Sequence, residues 1–111
     1  MSRIKPKRAT DAGFLMFLRS LPCLCTGVMG NVTAHHLMDT GLRGMGLKSP
    51  DRYSIPLDWK VHDMLHRAGD ETLFLAGYEV FEAKSIADQF YESYLNNDYD
   101  GCYDYIIRRF L

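Results

Sequence analysis

All four histidines of this 111-residue chain fall in two short stretches, Ala34-His35-His36-Leu37 and His62-Asp63-Met64-Leu65-His66, on either side of a glycine-rich loop. His62 and His66 are four apart, so a helix through them presents both imidazoles on one face, one turn apart. That is the spacing two ligands of a single metal ion require. A His-His pair on a preceding strand adds a third ligand and a base. The arrangement reads as a catalytic metal site, and the fold must bring a strand end against a helix face to complete it.

Local signals supply both elements. Asn31 to His36 is short and β-branched, which predicts a strand ending in the histidine pair. Tyr53-Ser54-Ile55-Pro56 predicts a second strand, with the proline at its edge or exit. Asp58 is placed to cap a helix through about Arg67, and Gly69 to close it. Upstream, Asp11 caps a helix through about Arg19 that carries Phe14, Leu15, Phe17 and Leu18. Cys23 to Gly30 reads as a turn-rich knuckle. Downstream come a short helix from Glu71 to Gly77, a longer one from Phe81 to Tyr94 and a last one from Tyr103 to Phe110, after a turn at Asn96-Asn97-Asp98. Trp59 is expected to pack against the sheet. The fold class is therefore α+β.

The length suits one domain: a basic tail over residues 1–10 and a single unit over 11–111. No apolar run approaches the ~20 residues of a membrane span, and no secretory segment is apparent, so the expectation is a cytoplasmic protein with no membrane partner. The formal net charge of −1 hides an asymmetry. Residues 1–67 hold ten Lys/Arg against five Asp/Glu, and residues 68–111 hold three against nine. A polyanion would approach the half that carries the histidines. Arg43 and Lys48 in the loop (Asp39 to Ser49), with Arg52 and Lys60 after it, are the cations placed to meet phosphates. Three cysteines are too few for a disulfide scaffold. Cys102 reads as a small packing residue.

The order of strand with His-His, loop, strand, and helix with His-x-x-x-His resembles the HNH endonuclease superfamily. More narrowly, the chain is similar to small phage and prophage HNH proteins related to the recombination-enhancement nucleases. Five pieces between about Arg19 and Tyr78 carry the likeness: Arg19-Ser20-Leu21-Pro22-Cys23, Ala34-His35-His36-Leu37, Gly44-Met45-Gly46-Leu47-Lys48, Ile55-Pro56-Leu57, and His62-Asp63-Met64-Leu65-His66. The resemblance implies a ββα-metal (His-Me finger) core over about 19–78, flanked by N-terminal and C-terminal helices, with a helical extension over 79–111. It implies that His35, His62 and His66 hold one divalent metal and that His36 is the general base. Asp51 is the nearest candidate for the family's middle polar residue, which orients the base or shapes the loop. The substrate would be DNA, and the setting a bacterial host cell with a phage- or prophage-encoded protein.

The chemistry agrees with that division of labour. Hydrolysis of a phosphodiester needs a base near neutral pKa and a cation for the developing charge, and one imidazole cannot be both. Three imidazoles suit zinc, nickel, cobalt or manganese, and magnesium less well. The chain departs from its resemblance at the structural zinc that relatives often carry. Cys23-Leu24-Cys25 is one residue short of Cys-x-x-Cys, and Asp58 and Val61 stand where further ligands would be, so a structural zinc at Cys23 and Cys25 is not expected. The aromatic C-terminal helices would then take over its stabilising role. The alternative is a catalytically silent ββα-metal module that binds DNA or assists phage assembly or recombination, with a packaging or recombination protein as partner. Hydrolysis of another substrate has only the histidines in its favour. Oligomeric state stays open.

Overall fold

The computed structural model describes residues 10–38 and 50–111. Asp11 accepts the Phe14 N–H at 3.1 Å and starts α1 (Ala12–Arg19), which buries Phe14 and Leu18. A carboxylate there satisfies one of the helix's unpaired donors, as N-caps do. The chain then folds through the Cys23–Gly30 knuckle into β1 (Val32–His36), which pairs antiparallel with β2 (Ser54–Asp58). The register places Val32 opposite Asp58 and His36 opposite Ser54.

β2 runs two residues past Pro56, beyond the expected exit. The Pro56 carbonyl accepts the Leu24 N–H at 2.9 Å, so it points away from β1. In an extended strand a residue's N–H and C=O share a side, so the donor that proline lacks falls on the outer edge, where β1 does not need it.

Asp58 ends β2 and caps α2 (Trp59–Ala68) through Lys60 N–H at 2.8 Å, and Gly69 closes it at φ +83°, a conformation that favours glycine. Val61 and Leu65 are the buried face of α2. Trp59 does not pack against the sheet as expected: it is 51% exposed. With Val61 and Leu65 turned inward, residue 59 lies on the side of the helix that carries His62 and His66, because 59, 62 and 66 follow helical spacing. α3 (Glu71–Ala76) follows under an Asp70 cap.

α4 (Ala83–Leu95) buries Ile86, Ala87 and Phe90, and α5 (Tyr99–Arg108) buries Cys102 and Ile106. Both boundaries differ from expectation. Phe81 is 62% exposed and precedes α4, whose entry turns through Glu82 at φ +53° without a side-chain cap. α5 begins four residues earlier than Tyr103, because Asp98 caps it by accepting the Gly101 N–H at 2.9 Å.

The C-terminal helices close over the first half of the chain. Phe14 meets Tyr91 edge-on at 5.0 Å, and Phe17 lies 5.3 Å from Tyr94 and 5.9 Å from Tyr99, the offset and tilted geometries aromatic rings prefer. After α5, Arg109 donates to the carbonyls of Leu24, Tyr78 and Glu79. Phe110 lies so close to Gly27 (φ +76°) that a Cβ there would stand 3.1 Å from its ring. The architecture is mixed α+β, with a two-stranded antiparallel sheet and five helices among the described residues. None of these helices is long and apolar enough to cross a membrane. The basic tail over residues 1–9 and the glycine-rich loop over 39–49 lie outside the described residues.

Candidate functional site

Strand alternation splits the two adjacent histidines. Residues two apart share a face of β1, so Thr33 and His35 face one way and Ala34 and His36 the other. His35 is buried against α2, with its ring centroid 4.9 Å from His62 and 5.7 Å from His66. His62 and His66 lie 4.7 Å apart. Each of the three offers a ligand atom, and these atoms lie within 4.8 Å of one another.

The hydrogen bonds around the triad decide which nitrogen each ring presents. Thr33 Oγ1 donates its one proton to the Leu57 carbonyl at 3.0 Å, so it accepts from His62 Nδ1 at 2.9 Å. His62 Nε2 is then the nitrogen with the free lone pair. It stands 3.0 Å from His66 Nε2, near the ~3.3 Å that two imidazoles span on a tetrahedral ion with ~2.0–2.1 Å bonds. His35 Nε2 donates to Glu71 Oε1 at 2.7 Å, leaving Nδ1 as the nitrogen with the lone pair. Glu71 is itself buried and accepts the Met38 N–H at both oxygens, 3.1 and 3.0 Å away. A carboxylate behind a ligand histidine fixes its tautomer and raises its basicity.

Burial first, and then the neighbouring His35, His66 and His36, pull the His62 pKa from 6.5 to about 4. His62 is therefore neutral at physiological pH, the form that binds metal. In the metal-free protein a proton on His66 Nε2 bridges the pair, and a cation would take its place. The donor set fits one borderline divalent ion such as zinc or nickel.

His36 stands outside the triad. Its Nε2 donates to Asp51 Oδ1 at 2.7 Å, and Asp51 Oδ2 accepts the Asp11 N–H at 2.8 Å. The Asp51 side chain is buried, whereas His36 is 34% exposed. Asp51 thus holds the His36 ring, and the other nitrogen, Nδ1, carries the lone pair.

The cations divide. Arg43 and Lys48 lie outside the described residues. Arg52 pairs with Asp88 at 3.4 Å and lies over the Tyr53 and Tyr91 rings, so it ties the start of β2 to α4. Lys60 is exposed, with its ammonium 6.0 Å from the Trp59 ring.

Cys23 and Cys25 are buried free thiols. Cys25 donates its proton to the Cys23 sulfur, which lowers Cys23 to about 5 and holds Cys25 well above the ordinary thiol range. Asp58 is engaged at Lys60 N–H by one oxygen. Cys102 is a buried core residue, as its isolation suggested.

Sequence reasoning missed Glu71, Thr33 and Asp11 as parts of this site. Thr33 had a readable signal, since it sits two before His35 on the same strand face. Glu71 had none, being 36 residues from its partner.

The family model described as "Protein of unknown function (DUF968)" matches residues 1–79. The chain belongs to that family, and the match includes all four histidines, Asp51 and Glu71. It is also similar to "Uncharacterized protein YdfU" of Escherichia coli (strain K12), with 34% identity over 62 residues. That segment is 56% of this chain and 18% of the relative, so the chain spans less than a fifth of that protein's length. No solved structure matches the chain.

Proposed function

We propose that the protein is a metal-dependent HNH-type endonuclease that hydrolyses DNA phosphodiester bonds, with β1, β2 and α2 as its ββα-metal core. The observation that carries this reading is the tautomer pattern of the triad. Thr33 and Glu71 each occupy one nitrogen of a histidine of the triad and leave the other with its lone pair, and the three residues' candidate ligand atoms lie within 4.8 Å of one another.

Each residue then has a task. His35, His62 and His66 would hold the ion, and Glu71 and Thr33 keep His35 and His62 in the binding tautomer, while His66 would give up its Nε2 proton to the other ring nitrogen or to solvent. When bound, the ion would stabilise charge developing on the phosphate and leaving oxygen. His36, one residue from a ligand and open to solvent, accepts a proton from water at Nδ1. Asp51 keeps Nε2 protonated and steadies the imidazolium that forms. Lys60 and the exposed Trp59 give a cation and a flat ring beside the histidine face of α2, a combination that suits a nucleic-acid strand. Few residues remain to read base edges, so cleavage is expected to show little sequence preference.

The second reading, a silent DNA-binding or phage-assembly module, has the acidic C-terminal half in its favour. The deciding experiment is nicking of supercoiled plasmid by metal-stripped protein re-supplied with Mg, Mn, Ni or Zn, beside His36→Ala. Metal-dependent nicking is expected, with a loss of at least ~100-fold in His36→Ala, as removal of a general base gives, while metal binding persists. Protein that binds metal but cuts DNA with none of them contradicts the proposal and favours the silent module.

A further inference from the structure

The partly buried contacts behind Asp51 reach well beyond the residues that the family model matches. Asp51 Oδ2 is held by the backbone N–H of Asp11, which opens α1. The Asp11 carboxylate does more than cap that helix. It accepts the Tyr91 hydroxyl at 3.0 Å and the Tyr94 hydroxyl at 3.3 Å, both from α4, besides the Phe14 N–H. These bonds span 80 and 83 residues, so they cannot be by-products of a local turn. The path runs His36 to Asp51, Asp51 to Asp11, and Asp11 to two tyrosines on α4.

We propose that Asp11, anchored by Tyr91 and Tyr94, is a positioning residue that aims His36 through Asp51, so that α4 sets the orientation of the candidate base. The physical argument concerns how a carboxylate is pinned. The Asp11 N–H engages the carboxylate oxygen that His36 does not use, so it bears directly on how the Asp51 plane is turned. With Oδ1 bonded to His36 and Oδ2 to Asp11, that plane is fixed, and the imidazole plane with it. Asp11 delivers its N–H to that spot only while the first turn of α1 is held, and the two hydroxyls grip that turn from outside it. The hydrogen bond to Asp11 raises the pKa of Tyr91, and burial and then the Asp11 charge raise that of Tyr94, so both remain donors. Phe14 packs edge-on to Tyr91, so the rings alone would keep the helices together if the hydroxyls were removed. The hydroxyls are therefore separable from the packing.

That separation provides the test. The role of His36 as a base rests on the proposed function, but its orientation can be read without any activity. In the full chain, carrying 15N-labelled histidine at fixed neutral pH, the His36 Nε2 proton is assigned by its disappearance in His36→Ala. Tyr91→Phe combined with Tyr94→Phe is expected to let this proton exchange with water roughly tenfold faster, as loss of one modest hydrogen bond would. In the nicking assay the same variant should lose roughly tenfold in kcat, with KM and metal affinity unchanged. An unchanged proton signature in the folded double variant overturns the proposal, and so does a loss expressed in KM alone. Should the double variant fail to fold, Tyr91→Phe alone carries the same readout and the same two outcomes. A wild-type protein that never cuts DNA removes the nuclease reading, while the proton exchange still decides whether Asp11 and the tyrosines position His36.

Discussion

Histidine chemistry at this site turns on which nitrogen each ring exposes, and the answer comes from residues that are not histidines. Thr33 and Glu71 settle two of the three rings, and Asp51 settles His36. The i, i+4 spacing of His62 and His66 was legible because both lie on one helix. The pairs His35–Glu71 and Asp11–Tyr91 were not, because they join segments 36 and 80 residues apart that only the tertiary fold brings together. The depressed His62 pKa has a direct consequence for stability. The folded chain binds a proton there less readily than the unfolded chain, whose histidine keeps a pKa near 6.5. His62 therefore contributes its full stability above pH 6.5, and that contribution is lost as the pH falls toward about 4. Metal-free protein should show a lower urea midpoint at pH 5 than at pH 7, with a smaller drop in His62→Asn. Equal drops in the two proteins would mean that His62 is not the group responsible.

Element boundaries were legible where a cap was recognised, and at α5, where Asp98 reads as part of a turn, the expected start falls four residues late. Asp11, Asp58 and Gly69 marked α1 and α2 in the sequence, and the structure uses all three for that purpose. α4 lacks a side-chain cap, so its start could not be read, and the apolar pattern was extended back to an exposed Phe81. Trp59 misled for another reason. Hydrophobicity implied burial, but its place on α2 is across from Val61 and Leu65. At the Cys23–Gly30 knuckle, Arg109 from beyond α5 binds the Leu24 carbonyl and Phe110 covers Gly27. α5 adds two buried residues, Cys102 and Ile106, and an isoleucine side chain contributes about 1.5–3 kcal/mol on burial. Together with the lost cover over α4 and the knuckle, this is a large part of the ~5–15 kcal/mol a domain has in total. A chain ending at Asn97 is thus expected to lose its cooperative thermal transition. A truncated protein that still melts cooperatively near the full-length temperature would show that α5 is dispensable.

The whole molecule divides its labour between a basic first part, which carries the histidines, and an acidic second part, which braces them. Tyr91 and Tyr94 reach Asp11 from the second part, and Arg52 reaches Asp88 from the first. Fold and site therefore stand on the same contacts: α4 packs on α1 and, through Asp11, holds Asp51. The claim on which the rest depends is that three imidazoles converge on one divalent ion. Calorimetric titration of metal-stripped protein with Zn or Ni tests it most directly, using the wild type, His62→Ala and Glu71→Gln. We expect one ion per chain in the wild type and no binding at this site in His62→Ala. Glu71→Gln should weaken affinity by about 10–100-fold, as loss of a carboxylate behind a ligand histidine does. Wild-type protein that takes up neither metal, or that binds equally well without His62, would contradict the account.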